Sequence, residues 1–270
     1  MASTLKFILP LAELTTQRLT DKRSNWLHFL KTAGWNYKYA FHDQVLIHAQ
    51  KPQATACAEL DFWNKRFRRW VNKNAEGIAL IDDTHDKLRL RYVFDISDTG
   101  LRKNSRHPFL WELRPEHEAA VAQALTERFG APPENNLAEQ LESIAAQLVS
   151  EYWVEHKQDI LDIVDGSLLM DYDEAGQEFQ FKSAAAISIT YAVLERCGFE
   201  PEGHFDRDDF QAIFSFSTPA AVYALGTAVS ECSRDVLRNI ERTVKTTIRR
   251  RNVERSQYEY EQQERDLLDH

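Results

Sequence analysis

The chain has 270 residues, of which 43% are hydrophobic and 11% aromatic, so it carries enough apolar material for a packed core and is not a disordered polymer. Mean hydropathy is −0.51, and no apolar run approaches the ~20 residues that a membrane-spanning helix needs. The net charge of −9 is unevenly spread: residues 1–130 hold 20 basic and 15 acidic side chains, a net +5, which leaves −14 for the remainder.

Five of the six tryptophans (Trp26, Trp35, Trp63, Trp70, Trp111) lie in the basic half. A basic, aromatic-rich half joined to an acidic one points to two modules with different partners. Chance differences between small domains explain the asymmetry equally well.

In chain order, the apolar stretch 7–14 comes first. It is short, lacks a basic flank and contains Pro10 and Glu13, so it does not read as a secretory signal. Residues 23–33 form an amphipathic helix with Trp26, Leu27, Phe29 and Leu30 inward, and Gly34 stands where a C-terminal cap belongs. A second helix covers 43–50 and ends before Pro52, and a third helical turn falls at 59–66. The period then changes. Residues 77–81 and 88–94 are strands joined by a turn at 82–86. In the second strand Leu88, Leu90 and Tyr92 share one face and Arg89, Arg91 and Val93 the other, which predicts a half-buried strand with a basic outer face. Residues 115–129 close this part as a helix, with Pro115 at its first position and Gly130 after its end.

Gly130 and the Pro132-Pro133 pair mark a boundary. Beyond it the chain reads as mainly helical, over 137–161, 182–197 and from 219 well past 244, with a turn at 171–176. Along the last helix Leu225, Val229, Cys232, Val236, Ile240, Val244 and Ile248 form one apolar stripe. The expected architecture is α+β: N-terminal helices packed on a small antiparallel sheet, then a helical module. Expected boundaries are 1–130, 137–255 and a polar tail at 256–270.

Motifs that carry catalytic or metal chemistry are mostly incomplete in this sequence. His117-Glu118 begins a metalloprotease-like pattern, but Val121 stands where the second histidine is required. Asp171, Asp173 and Glu174 lack the glycine and distal glutamate of a calcium loop. There is no nucleophile elbow and no phosphate-binding glycine loop. The three cysteines (Cys57, Cys197, Cys232) are odd in number and far apart, which fits a reducing cytoplasm and no disulfide framework. A binding protein without catalytic residues, metal or cofactor is the expectation.

The strongest positive signal mixes cations with rings. Residues 63–73 hold Lys65, Arg66, Arg68, Arg69 and Lys73 among Trp63, Phe67 and Trp70. Arg89 and Arg91, then Arg102, Lys103 and Arg106, extend the set, and Tyr37 and Tyr39 flank Lys38 beside Trp35. Cations neutralise phosphates, and rings offer faces on which unpaired bases stack. The same residues also suit a core of Trp63, Phe67 and Trp70 with a solvated charged face, and both readings stand at this point. A second reading from another class is a dimer or scaffold joined through the stripe of the last helix.

At Phe41-His-Asp-Gln-Val-Leu-Ile-His-Ala-Gln-Lys-Pro-Gln-Ala-Thr55, continuing through Trp63, Trp70-Val71 and Glu76-Gly-Ile-Ala-Leu80, the chain resembles the N-terminal domain of ArdC-type antirestriction proteins of plasmids and conjugative elements. It is more similar still to the N-terminal region of large helicase/methylase-like proteins of Gram-positive conjugative transposons, which segments 92–99, 224–230 and 237–244 also fit. The resemblance implies single-stranded DNA binding, with Gln44, Gln50, Thr55, Trp63 and Trp70 at pattern positions. It also implies a zincin-like second half, of which 183–198 would be a degenerate remnant, since the His-Glu-x-x-His motif is missing. Peptidase activity is therefore not carried over. The expected function is a cytoplasmic, non-catalytic single-stranded-DNA-binding protein of a mobile element, serving antirestriction or DNA processing. Other proteins of the conjugative element are further expected partners, and a membrane is not. Tyr37, Tyr39, Gln44, Gln50, Lys51, Thr55, Arg68, Arg69, Trp70, Lys73, Arg89 and Arg91 are the candidate contacts.

Overall fold

The computed structural model describes residues 4–84, 87–130 and 136–268, without the side chains at 202 and from 254 onward. The 256–270 tail, as a statement about side chains, lies outside the described residues, as do parts of the 82–86 turn and the 130–137 boundary.

The architecture is α+β with helices predominant. Helices α1 (Leu5–Arg18), α2 (Arg23–Trp35) and α3 (Phe41–Gln50) come first. Strand β1 (Cys57–Glu59) runs into one helical turn, α4 (Leu60–Phe62), and a π-helical turn at Trp63–Phe67. Strands β2 (Trp70–Val71), β3 (Ile78–Asp82), β4 (Arg89–Asp95) and β5 (Thr99–Gly100) follow, then α5 (Pro115–Phe129), α6 (Leu137–Asp162), α7 (Glu174–Cys197) and α8 (Pro219–Leu268). The antiparallel sheet has the order β1-β4-β3, with Ile78 opposite Val93 and Cys57 opposite Asp95. β2 and β5 form a separate small ribbon.

Local chemistry explains several boundaries. α5 starts at Pro115, carries Glu116 and Glu118 in its first turn, and stops at Gly130 with φ 73°. α7 begins eight residues before the expected 182, because Asp173 caps it by accepting the Gly176 N–H at 2.8 Å. Most of the stretch read as a turn is therefore the helix's cap and first turn. The proposed cap at Gly34 is also corrected. α2 runs on to Trp35, and Gly34 instead lets α2 approach α7, where a Cβ would lie 2.8 Å from the Ala192 carbonyl oxygen.

A single large core runs across the expected boundary at 130. It joins α2 and α3 to α5, α6, α7 and α8. Inside it the Trp26 indole donates to Ser188 Oγ at 2.8 Å. The division at 130–137 therefore does not separate two cores. The α8 stripe is part of this core: Leu225, Val229, Cys232, Val236, Ile240 and Val244 are buried and Ile248 is half-buried. The chain's own helices cover those residues, so the expected dimer seam through them is corrected.

A second, smaller cluster packs Ile8 of α1 and Leu46 and Ile47 of α3 against Ile78, Leu80 and Val93 of the sheet. α3 thus faces both clusters, with Phe41 and Val45 turned to the larger one. Gln50 holds the outer edge of β3: its amide donates to the Ala79 carbonyl and accepts the Ala79 N–H, both at 2.9 Å.

The faces of β4 follow the expectation only in part: Leu90 packs against the second cluster and Arg89 is exposed as expected, but the other positions differ. Val93 is fully buried and Arg91 half-buried on the face toward α3, while Leu88 and Tyr92 are exposed. The buried Asp43 carboxylate pairs with Arg91 and so makes an inward arginine tolerable.

Asp95 ties the 54–56 segment to the end of β4. Its carboxylate accepts N–H bonds from Thr55 (2.8 Å), Ala56 (2.9 Å) and Ser97 (2.9 Å). Burial acts to raise its pKa, but these bonds outweigh it and hold the carboxyl below its ordinary 3.8. A depressed folded pKa adds stability above the unfolded value and loses it as pH falls through the folded one. Asp95→Asn should therefore lower the urea midpoint at pH 7 and narrow the gap to wild type below pH 3.8. A gap that does not change with pH would assign the loss to packing. Among the described residues, no helix is long and apolar enough to cross a membrane.

Candidate nucleic-acid interface

A cleft of about 840 Å³ opens where the helical body meets the sheet. Four stretches line it. The 35–39 turn follows α2, 55–67 runs through β1 and the π-helical turn, 106–111 precedes α5, and one face of α8 presents Glu241, Lys245 and Arg249 four residues apart. Arg91 of β4 and Arg196 of α7 complete it.

The wall at 62–67 is built by ring packing. Phe62, Trp63 and Phe67 contact one another with centroids 5.5–6.5 Å apart. The Trp63 indole is buried and donates to the Phe94 carbonyl at 2.8 Å, which fixes the turn to β4. The turn ends at Arg68 in the left-handed region, φ 52°. The following loop is tied back to it: Arg106 N–H donates to the Phe67 carbonyl at 2.7 Å and Ser105 Oγ to the Arg68 carbonyl at 2.6 Å.

Positive charge dominates. Seven lysines and arginines line the cleft against two glutamates, Glu59 and Glu241. Arg91 is neutralised by Asp43, and Lys38 and Lys245 by Glu241. Arg66, Arg106 and Arg249 are exposed and form no ion pair among the described residues. Arg196 is 5% exposed and stacked between two indoles, 3.6 Å from the Trp111 centroid and 4.3 Å from that of Trp35. One of its amino groups donates to the Trp111 carbonyl at 2.9 Å, and its Nε has no partner. The rings open to solvent are Phe62 and Phe109, with Trp35, Tyr39 and Phe67 half-buried. Cations and open rings together can hold phosphates and stack bases.

The twelve candidate contacts fall into three groups. Tyr37, Tyr39, Thr55 and Arg91 line the cleft. Tyr37 is buried, however, with its hydroxyl donating to Glu241 at 2.6 Å and accepting from the Trp111 indole at 3.1 Å. It offers no stacking face, and burial pushes its hydroxyl far up. Tyr39 donates to the Cys57 carbonyl at 2.8 Å.

Gln44, Gln50, Lys51 and Arg69 belong to the framework. Gln44 donates to the Asn36 and Tyr39 carbonyls, and Lys51 pairs with Asp98 at 2.6 Å. Arg69 is 6% exposed and bonds Thr99 through Nε (2.7 Å) and a terminal amino group (3.1 Å). Its expected phosphate contact is therefore corrected. Arg69→Ala should strip β5 from β2 and cost about 1–3 kcal/mol of stability, read by urea denaturation. A loss of strand affinity with unchanged stability would return Arg69 to the interface.

Arg68, Trp70, Lys73 and Arg89 are exposed but lie outside the cleft lining. One face of Trp70 is already covered by Arg102, 4.0 Å from the ring centroid.

Sequence reasoning did not single out Arg196, Trp111, Phe62, Phe109, Lys245 or Arg249 as a site. The available signals were the rings around Lys38 and the Arg249-Arg250-Arg251 run at the end of the α8 stripe. Among the described residues, no group of three or more His, Cys, Asp or Glu side chains is placed to hold a metal. Burial raises all three thiols, Cys197 and Cys232 to about 12, so none is a ready nucleophile. Compared with known proteins, the chain matches no family model, no curated sequence and no solved structure.

Proposed function

We propose that this chain binds single-stranded DNA in the 35–39/62–67/106–111 cleft, with low sequence preference and without catalysis. The observation that carries the reading is the excess of cations over carboxylates in a concave site with open rings. Arg66, Arg106 and Arg249 would contact phosphates, and Phe62 and Phe109 would stack bases. Stacking needs unpaired bases, which favours single strands over duplex. This reading keeps the sequence-based contacts that line the cleft and leaves out Arg68, Trp70, Lys73 and Arg89. By its resemblance to ArdC-type proteins, the role is that of a cytoplasmic antirestriction or DNA-processing accessory of a mobile element, working with other proteins of that element. The three unpaired cysteines support a reducing compartment.

Fluorescence anisotropy of labelled oligonucleotides at two salt concentrations, with duplex competitors, tests this. Salt-sensitive binding that prefers single strands is expected. Phe62→Ala and Phe109→Ala should each weaken it by about 1–3 kcal/mol. No binding at low salt would overturn the reading. A protein-docking scaffold would then lead, resting on the exposed Leu168, Met170, Tyr172 and Phe179 rather than on the α8 stripe.

A further inference from the structure

The inner end of the cleft has an unusual feature. Three donors from two parts of the chain converge on one carboxylate. Glu241 accepts from the Tyr37 hydroxyl at 2.6 Å, from Lys38 at 2.8 Å and from Lys245 at 2.6 Å. The buried Arg196 guanidinium lies beside this group, shares the Trp111 contact with Tyr37 and has no carboxylate partner among the described residues. Both lysines keep solvent-exposed side chains (54% and 39%), while Glu241 is 11% exposed.

We propose that Tyr37, Lys38, Lys245 and Arg196 form a phosphate subsite and that Glu241 occupies it as an internal competitor until a phosphate of the bound strand takes over the two lysines. This rests on the cleft being the strand-binding site. The ligand chemistry follows from the donors: ammonium groups, a hydroxyl and a guanidinium suit an oxyanion with several oxygens. A carboxylate offers two oxygens and satisfies the three donors already present. A phosphate would also reach Arg196, which Glu241 leaves unpaired. Burial alone would raise the Glu241 carboxyl, but the bonds from Lys245, Lys38 and Tyr37 hold it down at about 2, so it stays charged and competing at neutral pH. The arrangement sets affinity below what the cation content allows, and it puts the exchange at the two exposed lysine head groups. Both lysines have flexible four-carbon stems, so they can turn from Glu241 to a phosphate in the subsite without backbone movement.

The test compares wild type with Glu241→Gln and Glu59→Gln, all checked by circular dichroism. Gln keeps an acceptor for the Tyr37 hydroxyl and removes the charge. Glu59→Gln removes the other cleft carboxylate and controls for the general field. Binding is measured to a labelled single-stranded oligonucleotide by anisotropy and to pyrophosphate by calorimetry. The expected result is about tenfold tighter oligonucleotide binding for Glu241→Gln, with a salt slope steeper by about one, because two lysines become free to release counterions. Glu59→Gln should change affinity less than threefold. The gain should vanish when Lys38 and Lys245 are both replaced by Met. Equal or weaker binding by folded Glu241→Gln, or an equal gain in Glu59→Gln, overturns the proposal and leaves Glu241 a brace between α8 and the 35–39 turn. If no oligonucleotide binds but pyrophosphate binds Glu241→Gln more tightly than wild type, the subsite stands and the strand reading falls. If neither probe binds either protein, both fall.

Discussion

Reversing Arg66, Arg106 and Arg249 to Glu together should weaken single-stranded oligonucleotide binding by about 100-fold at low salt and flatten its salt slope by about 2. The size follows from position. These three guanidinium groups face the cleft and form no ion pair among the described residues, so their charge is available to a ligand. None is buried, so the fold should survive the change. Arg106 meets the π-helical turn through its backbone N–H, which the substitution keeps. The matched control reverses Arg68, Lys73 and Arg89, which are equally exposed but outside the lining. That variant should lose less than about threefold. If the control loses more than the cleft variant, the interface belongs on β2 and β4, as the sequence alone suggests.

Gly226→Ala should produce the largest loss of stability, about 3 kcal/mol or more, seen as a lower urea midpoint with an unchanged slope. A Cβ at this position would lie 2.0, 2.3 and 2.5 Å from ring atoms of Phe41. The Phe41 ring cannot step aside. Phe29 meets it edge-on at 5.5 Å and Tyr223 at 5.4 Å. α3 and α8 must then separate, which opens gaps on both sides of α3. Phe41→Leu should recover part of the loss in the double variant, a non-additivity that marks direct contact. Stability within about 0.5 kcal/mol of wild type would mean that the two helices yield at little cost.

What the sequence showed, and where it misled, has a physical pattern. α5 was legible because its signals are local: Pro115 starts it and Gly130 stops it. The α8 stripe was legible as a period, but a period does not say whether the cover comes from the same chain. Its partners lie on α5, α6 and α7, far away in sequence. α1 was not legible: the 7–14 stretch was weighed only as a secretory signal, and the helix carries Pro10 at an exposed position, where the lost hydrogen bond is tolerated. The faces of β4 were only partly legible, because alternation alone does not reveal that Asp43 on α3 draws Arg91 inward beside Val93 while Leu90 still packs on the second cluster. The same limit hid the site. A lone Arg196 in an alanine-rich helix reads as a surface cation until Trp35 and Trp111 are brought to its two faces. Arg69 failed in the other direction: its neighbours made it look like part of a charged run, and Thr99 took it out of reach.

The two-faced placement of α3 has a consequence for local opening. Phe41 and Val45 sit in the helical core, and Leu46 and Ile47, the next two residues, turn to the sheet side. A helix ten residues long cannot melt on one side only. The sheet therefore lacks an independent low-energy opening, and amide protons of β3 should exchange through the same global event as those in the middle of α8. Native-state exchange at the Ala79 amide, which Gln50 of α3 holds directly, reports that coupling from the sheet side.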